Sequence, residues 1–418
     1  MKIAGIIAEY NPFHQGHAYQ ISRTRQETGA QYVIAVMSGD FVQRGAPAVF
    51  DKYLRTEAAL LGGADLVLEL PAVYACASAE FFASGAVSLL HGLGCVELLS
   101  FGSELGNTRM LMEIAQILCE EPEAFRKLLR KSLQAGASYP GARAAALESY
   151  MAGTSIFQES SASPESLRQL LGQPNNILAV EYCRALLKFQ SAITPFTVRR
   201  AGKGYHESGI LDGFASASGI RRELFDAGNP SHISEALLSQ IPEQARSAFL
   251  LAAQQGMQRT DDYSLLLACR LLDQTPESLS SYADIPPALA QRIWKHRFSC
   301  RSFDSFVSLL KTKDSTYTGI SRALMRLLLD IRQHPPANCP YARILGFRRE
   351  AAPLLSELKK SSKIPLISKA ADAGRLLCPP AGDIFSKDVY AANFYETVRC
   401  AKTGQEFRHE LRRPVVIL

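Results

Sequence analysis

The sequence lacks a hydrophobic run long enough to cross a membrane. Its most apolar stretch, residues 59–93, is interrupted by Asp65, Glu69 and Glu80, whose charges would be costly in a bilayer. The first residues also lack the long apolar segment and small-residue cleavage site of a secretory signal peptide. We therefore expect neither a membrane anchor nor export.

Paired cysteines are also lacking. The 9 cysteines are scattered along the 418 residues, with no Cys-x-x-Cys pair and no Cys/His cluster at zinc spacing. Such an odd, dispersed set is typical of reduced thiols in a cytoplasmic protein, and it gives no sign of a structural metal site. The 47% hydrophobic and 21% charged residues exclude disorder for the bulk of the chain and leave room for two or three domains.

The N-terminal region alternates apolar runs with helical patterns. Runs typical of buried strands cover residues 3–8, 31–37, 64–70, 95–101 and 193–199. Helical patterns cover residues 14–28, 51–61, 78–90 and 216–225. This alternation predicts an α/β fold with a Rossmann-like, doubly wound parallel sheet. Ligands of such sheets bind beyond the carboxyl ends of the strands.

We place the first domain at residues 1–230, with a helical insertion at about 108–192, and a mainly α-helical region at 231–418. Residues 286–363 contain fifteen Lys and Arg but only five Asp and Glu, while the rest of the chain is slightly acidic. This basic region is either a solvated helical surface or a footprint for a phosphate backbone. As a footprint, its candidate RNA-binding residues are Arg292, Lys295, Arg297, Lys311, Lys313, Arg322, Arg326 and Arg343.

The sharpest motif is the HQGH turn, which follows the first predicted strand and opens a helix at residues 14–17. Gly16 allows close approach of a ligand to the backbone, and the helix start presents unpaired N–H groups to an anion. His14 and His17 can donate hydrogen bonds to phosphate oxygens. The alternative is a turn glycine flanked by two surface histidines.

This strand–HQGH–helix unit resembles the HIGH-type nucleotidyltransferase superfamily, which is related to class I aminoacyl-tRNA synthetases. A second superfamily element resembles the run SASGIR at residues 216–221. At that helix start, Ser218 and Arg221 would hold the β- and γ-phosphates of ATP. Taken alone, the two serines of the run are better explained as helix caps, but two phosphate-type turns in the expected order favour the ATP-binding role.

A closer resemblance covers nearly the whole chain. It rests on the segments AGIIAEYNPFHQGH, MSGDFVQRGAPA, LELPAVYACASAEFFASGAV, PNNILAVEY, VRRAGKGYHE, SASGIR, TYTGISRALMRLLL and PYARILGF. These segments are similar to the bacterial tRNA(Met) cytidine acetate ligase family. The resemblance implies that ATP activates acetate to acetyl-adenylate, and that the acetyl group passes to N4 of the wobble cytidine of elongator tRNA(Met).

The resemblance also implies an ATP site. Its residues are Ile7, Ala8, Glu9, Tyr10, Asn11, His14, Gly16, His17, Gln20, Gly102, Asn175 and Arg200. From sequence alone, Gly102 is equally a turn glycine, and Asn175 is better explained as a helix cap. The alternative for Arg200 is a surface ion pair. We expect the implied chemistry to fall on His14, His17, Ser218, Arg221 and Asp40.

The loop after the second predicted strand adds Asp40 and Arg44, which could position acetate, magnesium or the cytidine amine. Mg²⁺ is the expected companion of ATP. Tyr205 and His206 either line the site or are turn residues. Two other functions stay open: a small-molecule adenylyltransferase, which would not need a basic helical region, and a non-catalytic RNA-binding protein that has kept a nucleotide-binding fold.

Overall fold

The computed structural model describes residues 1–137, 139–152, 172–199, 214–228, 230–313 and 315–418. The chain divides into two compact units, Met1–Val96 with Ala201–Leu418, and Glu97–Arg200. It does not divide near residue 230 as predicted. The residues after 230 belong to the same unit as the first 96 because they pair and pack with them.

Ten strands are present in the described chain. They are β1 Ile3–Ala8, β2 Tyr32–Ser38, β3 Phe41–Val42, β4 Ala46–Pro47, β5 Leu66–Leu70, β6 Leu98–Ser103, β7 Thr194–Arg199, β8 Ala342–Phe347, β9 Leu366–Ile367 and β10 Val416–Ile417. In the first unit the sheet order is β10-β8-β5-β2-β1, and β9 pairs with the free part of β8. Strands β1, β2 and β5 are parallel, whereas β8 runs antiparallel to β5.

Helices surround these strands. In the first unit they are α1 Gln15–Thr28, α2 Lys52–Leu61, α3 Ala72–Ala75 and α4 Ala79–Gly92. In the second unit they are α5 Thr108–Glu120, α6 Glu123–Gln134, α7 Tyr139–Met151 and α8 Pro174–Lys188. The first unit continues with α9 Ala217–Ala227, α10 Glu235–Ser239, α11 Arg246–Gln255, α12 Ser264–Leu272, α13 Pro276–Ser280, α14 Pro287–His296, α15 Phe303–Leu310, α16 Tyr317–Leu328, α17 Ala352–Ser361, α18 Ala373–Leu376 and α19 Ala381–Thr403.

The predicted α/β fold is confirmed, and the sheet register fixes where a ligand would bind. Ala8 at the end of β1 pairs with Met37, and Ser38 at the end of β2 pairs with Leu70 at the end of β5. The three strands therefore end at one edge of the sheet. The segments that follow them begin there, so this edge is where a parallel sheet places its site.

The first helices begin and end where the local chemistry requires. Asp51 caps α2, because its carboxylate accepts hydrogen bonds from the N–H groups of Tyr53 and Leu54 at 2.8 and 2.9 Å. Helix α1 ends at Gly29, whose φ of 71° is left-handed and whose N–H donates to the carbonyl of Arg25. Both helices therefore have firm boundaries beside the sheet.

The late part of the chain is less uniformly helical than predicted. Strands β8 and β10 carry residues 342–347 and 416–417 into the same sheet as β1, β2 and β5. Strand β8 is six residues long, and its first five residues are buried. In the sequence this short apolar run lies between helices. A short run of this kind is not distinguishable from a helix segment by periodicity.

In the second unit, β6 and β7 form a parallel pair, with Leu98 opposite Thr194 and Ser103 opposite Arg199. The residues between them contain α5 to α8, which agrees with a helical segment in this part of the chain. Helix α5 packs against α8, and α6 packs against α7.

Two general properties concern the chain as described. No helix among the described residues is both long and apolar enough to cross a bilayer. All nine cysteines carry free thiols, and Cys76, Cys183 and Cys339 are buried.

The loop between β2 and α2 is fastened to α16 through a glycine. Gly45 has a φ of +72°, and a Cβ placed on it would lie 2.3 Å from the backbone nitrogen of Arg322. The hydroxyl of Ser321 donates to the Gly45 carbonyl at 2.8 Å. The basic helix α16 therefore holds the loop that contains Asp40 and Arg44.

Replacing Gly45 with alanine should destabilise the protein more than the same change at Gly29. Both glycines have a φ near +71°, but a Cβ on Gly29 has no neighbour within 4 Å. The difference between the two variants isolates the clash with α16, which we expect to cost roughly 1–3 kcal/mol. Urea denaturation of both variants measures it. Equal losses of stability would show that the loop does not pack on α16 in this way.

Candidate active site at the carboxyl ends of the parallel strands

The HQGH turn caps α1 through its two histidines. The Nδ1 atom of His14 accepts a hydrogen bond from the N–H of Gly16 at 3.0 Å. The Nδ1 atom of His17 accepts one from the N–H of His14 at 3.2 Å. The two imidazole rings stack, with centroids 3.8 Å apart and planes at 29°. The histidines thus satisfy backbone donors that the helix start would otherwise leave unpaired.

These bonds determine which ring nitrogen carries the proton. An Nδ1 atom that accepts from a backbone N–H has no hydrogen in the neutral ring, so the hydrogen is on Nε2. Both histidines are therefore set as Nε2–H donors, the form that can donate to a phosphate oxygen. The predicted role of the pair is compatible with this geometry, although His14 is only 4% exposed.

Gly16 has no room for a side chain. A Cβ on it would lie 2.9 Å from Cε1 of the His14 ring. Tyr10 and Phe13 pack behind the pair, with Tyr10 edge-on to His17 at a centroid distance of 4.8 Å. The turn is therefore a packed unit of aromatic rings around one glycine.

The SASGIR turn at residues 216–221 contacts the segment between β1 and the HQGH turn through Arg221. Ser216 caps α9 by accepting a hydrogen bond from the N–H of Gly219 at 3.2 Å, and its hydroxyl lies 3.1 Å from that of Ser218. Nη1 of Arg221 donates to the carbonyl of Asn11 at 2.6 Å. The SASGIR turn is thus bound to Asn11, three residues before the HQGH turn and about 200 residues away in sequence.

Charged groups gather at this contact. Burial lowers the pKa of Arg221, an effect that the nearby Arg44 reinforces and that Glu9 opposes. The carboxylate of Glu9 also accepts a hydrogen bond from the N–H of Gln43 at 2.9 Å, which ties the end of β1 to the β2–α2 loop. The contact therefore brings two arginines and one carboxylate together, and Glu9 acts on Arg221 more strongly than Arg44 does.

Arg55 on α2 is a site residue that sequence reasoning missed. Its guanidinium donates to the carbonyls of Glu9 at 2.6 Å and Ser38 at 3.1 Å, and also to that of Gly39. Its Nε donates to the carbonyl of Phe50 at 3.0 Å, and the side chain is 1% exposed. An arginine among the apolar residues of helix 52–61 was the available signal.

Asp40 is turned away from solvent and toward α2. It is 6% exposed, and its Oδ1 accepts the N–H of Lys52 at 2.8 Å. Burial raises its pKa to about 7, although the ammonium of Lys52, 3.8 Å away, acts in the other direction. In this structure Asp40 anchors the loop to the start of α2, and its catalytic role stays a prediction.

Beneath Asp40 lies a buried charge cluster, which we define as Lys52, Glu69, Arg343 and Glu410. Lys52 contacts Glu69 at 2.6 Å and Glu410 at 2.7 Å, and Arg343 contacts the same two carboxylates at 2.8 and 2.6 Å. Although burial opposes ionisation, Lys52 and Arg343 hold the pKa of Glu410 at about 2. The cluster joins α2, β5 and β8 to the C-terminal tail.

Two of the predicted RNA-binding residues are not on the surface. The Arg343 side chain is 3% exposed and is bound in the charge cluster. Arg326 is 0% exposed, and it donates to Asp284 at 2.9 Å and to the Val73 carbonyl at 3.0 Å. The prediction that these two arginines contact a phosphate backbone is wrong, because buried, paired guanidinium groups cannot reach one.

The other predicted RNA-binding residues lie at or near the surface. Lys295, Lys311 and Lys313 are exposed, and Arg297 is partly exposed. Arg292 donates to the hydroxyl of Ser315 at 3.0 Å. The Arg322 side chain is 19% exposed, at 4.0 Å from the carboxylate of Asp284. Their predicted contact with RNA stays open.

Three predicted nucleotide-binding residues, Gly102, Asn175 and Arg200, belong to the second unit. Gly102 lies in β6 opposite Val198. Asn175 does not cap α8, whose cap position is Gln173; instead its Nδ2 donates to Glu104 at 2.6 Å. The next residue, Asn176, was not predicted to have a role, but its Oδ1 accepts a hydrogen bond from the Ser103 hydroxyl at 2.8 Å. Arg200, Tyr205 and His206 lie outside the described residues.

Of the first-unit residues in the predicted ATP site, Ile7 and Ala8 end β1, and Gln20 lies one turn beyond His17 on α1. Asn11 is 5% exposed, and its Oδ1 accepts the N–H of Val49 at 2.8 Å. Across the described ranges, no group of three His, Cys, Asp or Glu side chains is arranged to hold a metal ion.

This site defines a nucleotidyltransferase: two histidines and a glycine open a helix at the strand ends, next to an arginine-bearing turn. Residues 1–410 match the family described as HIGH Nucleotidyl Transferase, and the chain belongs to that family. Proteins named tRNA(Met) cytidine acetate ligase are its full-length relatives. The protein of Acetivibrio thermocellus is 36% identical over 98% of this chain and 99% of its own.

A protein of the same name from Clostridium kluyveri is 38% identical over 94% of each chain. Among solved structures, Thermotoga maritima TmcAL bound with alpha-thio ATP superposes with a TM-score of 0.89 at 29% identity, covering both chains completely. Its apo form superposes with a TM-score of 0.90. The predicted family resemblance is confirmed.

The raised pKa of Asp40 predicts how stability depends on pH. A carboxyl that is protonated more readily in the folded chain, with a pKa of about 7 in place of 3.8, favours folding at low pH. That contribution is complete below about pH 4 and is lost as the pH rises through 7. The side chain of Asp40→Asn does not ionise, so the variant should not lose stability in this way as the pH rises. Its free energy of unfolding, relative to that of the wild type, should therefore rise between pH 5 and 8.

The measurement is the free energy of unfolding in urea at several pH values. The control is Glu350→Gln, which alters a carboxylate whose side chain is 75% exposed and should leave the profile unchanged. Profiles of wild type and Asp40→Asn that run parallel would contradict the assigned burial.

Proposed function

We propose that this chain is an ATP-dependent tRNA(Met) cytidine acetate ligase. It activates acetate to acetyl-adenylate and transfers the acetyl group to N4 of the wobble cytidine of elongator tRNA(Met), in the cytoplasm. The single observation that carries the nucleotide chemistry is the HQGH turn, with both histidines set as Nε2–H donors at the start of α1. The family relationship carries the choice of acetate and tRNA.

In the first step, an acetate oxygen attacks the α-phosphorus of ATP. A new P–O bond forms, the bond to pyrophosphate breaks in line, and no covalent enzyme intermediate is needed. The chain contributes position and charge stabilisation: His14 and His17 donate to phosphate oxygens, and Ser218 and Arg221 hold the β- and γ-phosphates. Mg²⁺, brought with ATP, would neutralise further charge on those phosphates.

In the second step, the exocyclic amine of cytosine attacks the carbonyl carbon of acetyl-adenylate. The new C–N bond forms, the C–O bond to AMP breaks, and the amine loses a proton. The base must leave its neighbours to reach the carbonyl, as bases do in single-stranded loops. The exposed lysines of the basic region would hold the RNA backbone while this happens.

The test of the function is mass spectrometry of nucleosides from an elongator tRNA(Met) transcript incubated with the protein, ATP and isotopically labelled acetate. Labelled N4-acetylcytidine, formed only when ATP and acetate are both present, would establish the ligase. ATP turnover to AMP and pyrophosphate without acetylcytidine would favour a small-molecule adenylyltransferase with another acceptor. No turnover at all would favour an RNA-binding protein.

Replacing His14 with alanine should reduce tRNA acetylation by about 100-fold or more, because it removes a donor to the charge that builds at the α-phosphate. It also removes the cap of α1. The measurement is the rate of N4-acetylcytidine formation at saturating ATP. His232→Ala, at an exposed histidine far along the sequence, is the control and should retain the wild-type rate. A wild-type rate for His14→Ala would refute the assigned site.

Neutralising Lys311 and Lys313 together should weaken tRNA binding and flatten its salt dependence. Each lost phosphate contact lowers the slope of log K against log salt by about 1. The matched control is Lys359→Gln with Lys360→Gln, an exposed basic pair on α17. Filter binding at several salt concentrations measures both. Equal slopes for the two double variants would show that positive charge anywhere on the protein suffices.

A further inference from the structure

An exposed stack of three side chains lies at the end of α14. The guanidinium of Arg297 lies 4.5 Å from the ring centroid of Trp294 and 4.2 Å from that of Phe298. Nη1 of Arg297 also donates to the Trp294 carbonyl at 2.6 Å, which fixes the guanidinium in place. We call Trp294, Arg297 and Phe298 the aromatic stack.

The aromatic stack leaves much of its surface in water. Trp294 is 39% exposed and Phe298 is 74% exposed. Phenylalanine and tryptophan are large apolar side chains whose burial is strongly favourable, so exposing two of them side by side has a cost. An arginine held against both rings adds a flat, positively charged surface, which suits a planar and negatively charged partner.

Positive charge lies on one side of the aromatic stack. Lys295, which lies between Trp294 and Arg297 in the sequence, is exposed. Arg292, one turn earlier on α14, is bonded to the hydroxyl of Ser315. Ser315 and Thr312 exchange backbone hydrogen bonds at 3.4 Å, so the turn that carries Lys311 and Lys313 lies next to Arg292. Arg292, Lys295 and Phe298 are spaced three residues apart, so the two cations and the Phe298 ring follow one row along the chain.

We propose that the aromatic stack is a base-stacking site, which receives an unpaired nucleotide of the RNA substrate. The proposal rests on the proposed function for the identity of that RNA, elongator tRNA(Met). A base would lie on the open face of Phe298 or Trp294, and the adjacent lysines would contact the phosphates on either side. Stacking of this kind binds single-stranded RNA without selecting one base.

Helix α16 connects this surface to the loop between β2 and α2. Ser315, next to Arg292, immediately precedes the cap of α16, while Ser321 and Arg322 lie against Gly45. Along a helix these seven residues span about 10 Å. A strand of RNA held by the aromatic stack would thus run beside the helix that fastens the loop containing Asp40 and Arg44.

A protein partner, such as a second copy of this chain, is the competing occupant. Residues 297–299 pack against α12, where Leu265 is 75% exposed. A protein interface would use this leucine together with the rings, whereas a stacked base needs the rings and the cations. The cluster of positive charge favours RNA, and Leu265 supplies the variant that separates the two.

Trp294 is the only tryptophan of the chain, so its fluorescence reports on the aromatic stack directly. The full-length protein is titrated with an elongator tRNA(Met) transcript at low salt. We expect quenching that saturates at the same RNA concentration as binding measured by filter retention. Saturated binding with unchanged tryptophan emission would overturn the proposal.

Variants give a second, independent test. Phe298→Ala should raise the KM for tRNA by roughly 5- to 100-fold with little change in kcat, because one stacked base is lost. Phe298→Tyr, which keeps a ring, should restore the KM. Leu265→Ala should leave the KM at the wild-type value. Thermal melting checks the folding of each variant, and these exposed sites should not alter the melting temperature.

The outcomes separate this inference from the proposed function. If the wild type acetylates tRNA but Phe298→Ala has the wild-type KM, the stacking site is refuted and the ligase stands. If tRNA quenches Trp294 and Phe298→Ala weakens binding, but no acetylcytidine forms, the stacking site stands and the ligase is refuted. Equal effects of Leu265→Ala and Phe298→Ala would refute stacking in favour of a protein interface.

Discussion

The candidate site depends on one buried guanidinium. Arg55 binds the backbone carbonyls of Glu9, Ser38, Gly39 and Phe50, which come from the ends of β1 and β2 and from the segment before α2. Buried backbone carbonyls need hydrogen-bond donors. A single fork of N–H groups supplies them. The HQGH turn and the β2–α2 loop are therefore set at a defined separation before any ligand arrives, which is what catalysis by positioning requires.

A second layer of charge lies under this arrangement. Lys52 is 1% exposed, yet Glu69 and Glu410 contact it directly, and Arg343 joins the same carboxylates. Buried ion pairs add little net stability, because desolvation offsets the attraction, but breaking one leaves an uncompensated charge. The charge cluster can therefore form only when β8 and the C-terminal tail are in their places beside α2 and β5. Residues near the C-terminus thus complete the support of a site whose main residues are near the N-terminus.

Local patterns in the sequence were sufficient for the strands β1, β2 and β5 and for the HQGH and SASGIR turns as helix starts. Long-range pairing was not predictable from them. The six residues of β8 look like a helix segment, and Arg326 and Arg343 look like surface cations until their partners Asp284 and Glu69 are known. Charge counting identifies a basic region, but only packing shows which of its arginines face water. Arg55 shows the same limit, since its partners are carbonyls distant in sequence.

The central claim is that this preorganised site activates acetate with ATP. Acetate-dependent exchange of labelled pyrophosphate into ATP, measured without tRNA, tests it most directly, because it isolates the first step from RNA binding. We expect exchange that requires acetate and the intact HQGH turn. Two results would contradict this account. One is exchange with another carboxylate but not with acetate, and the other is exchange with acetate only when tRNA is also present.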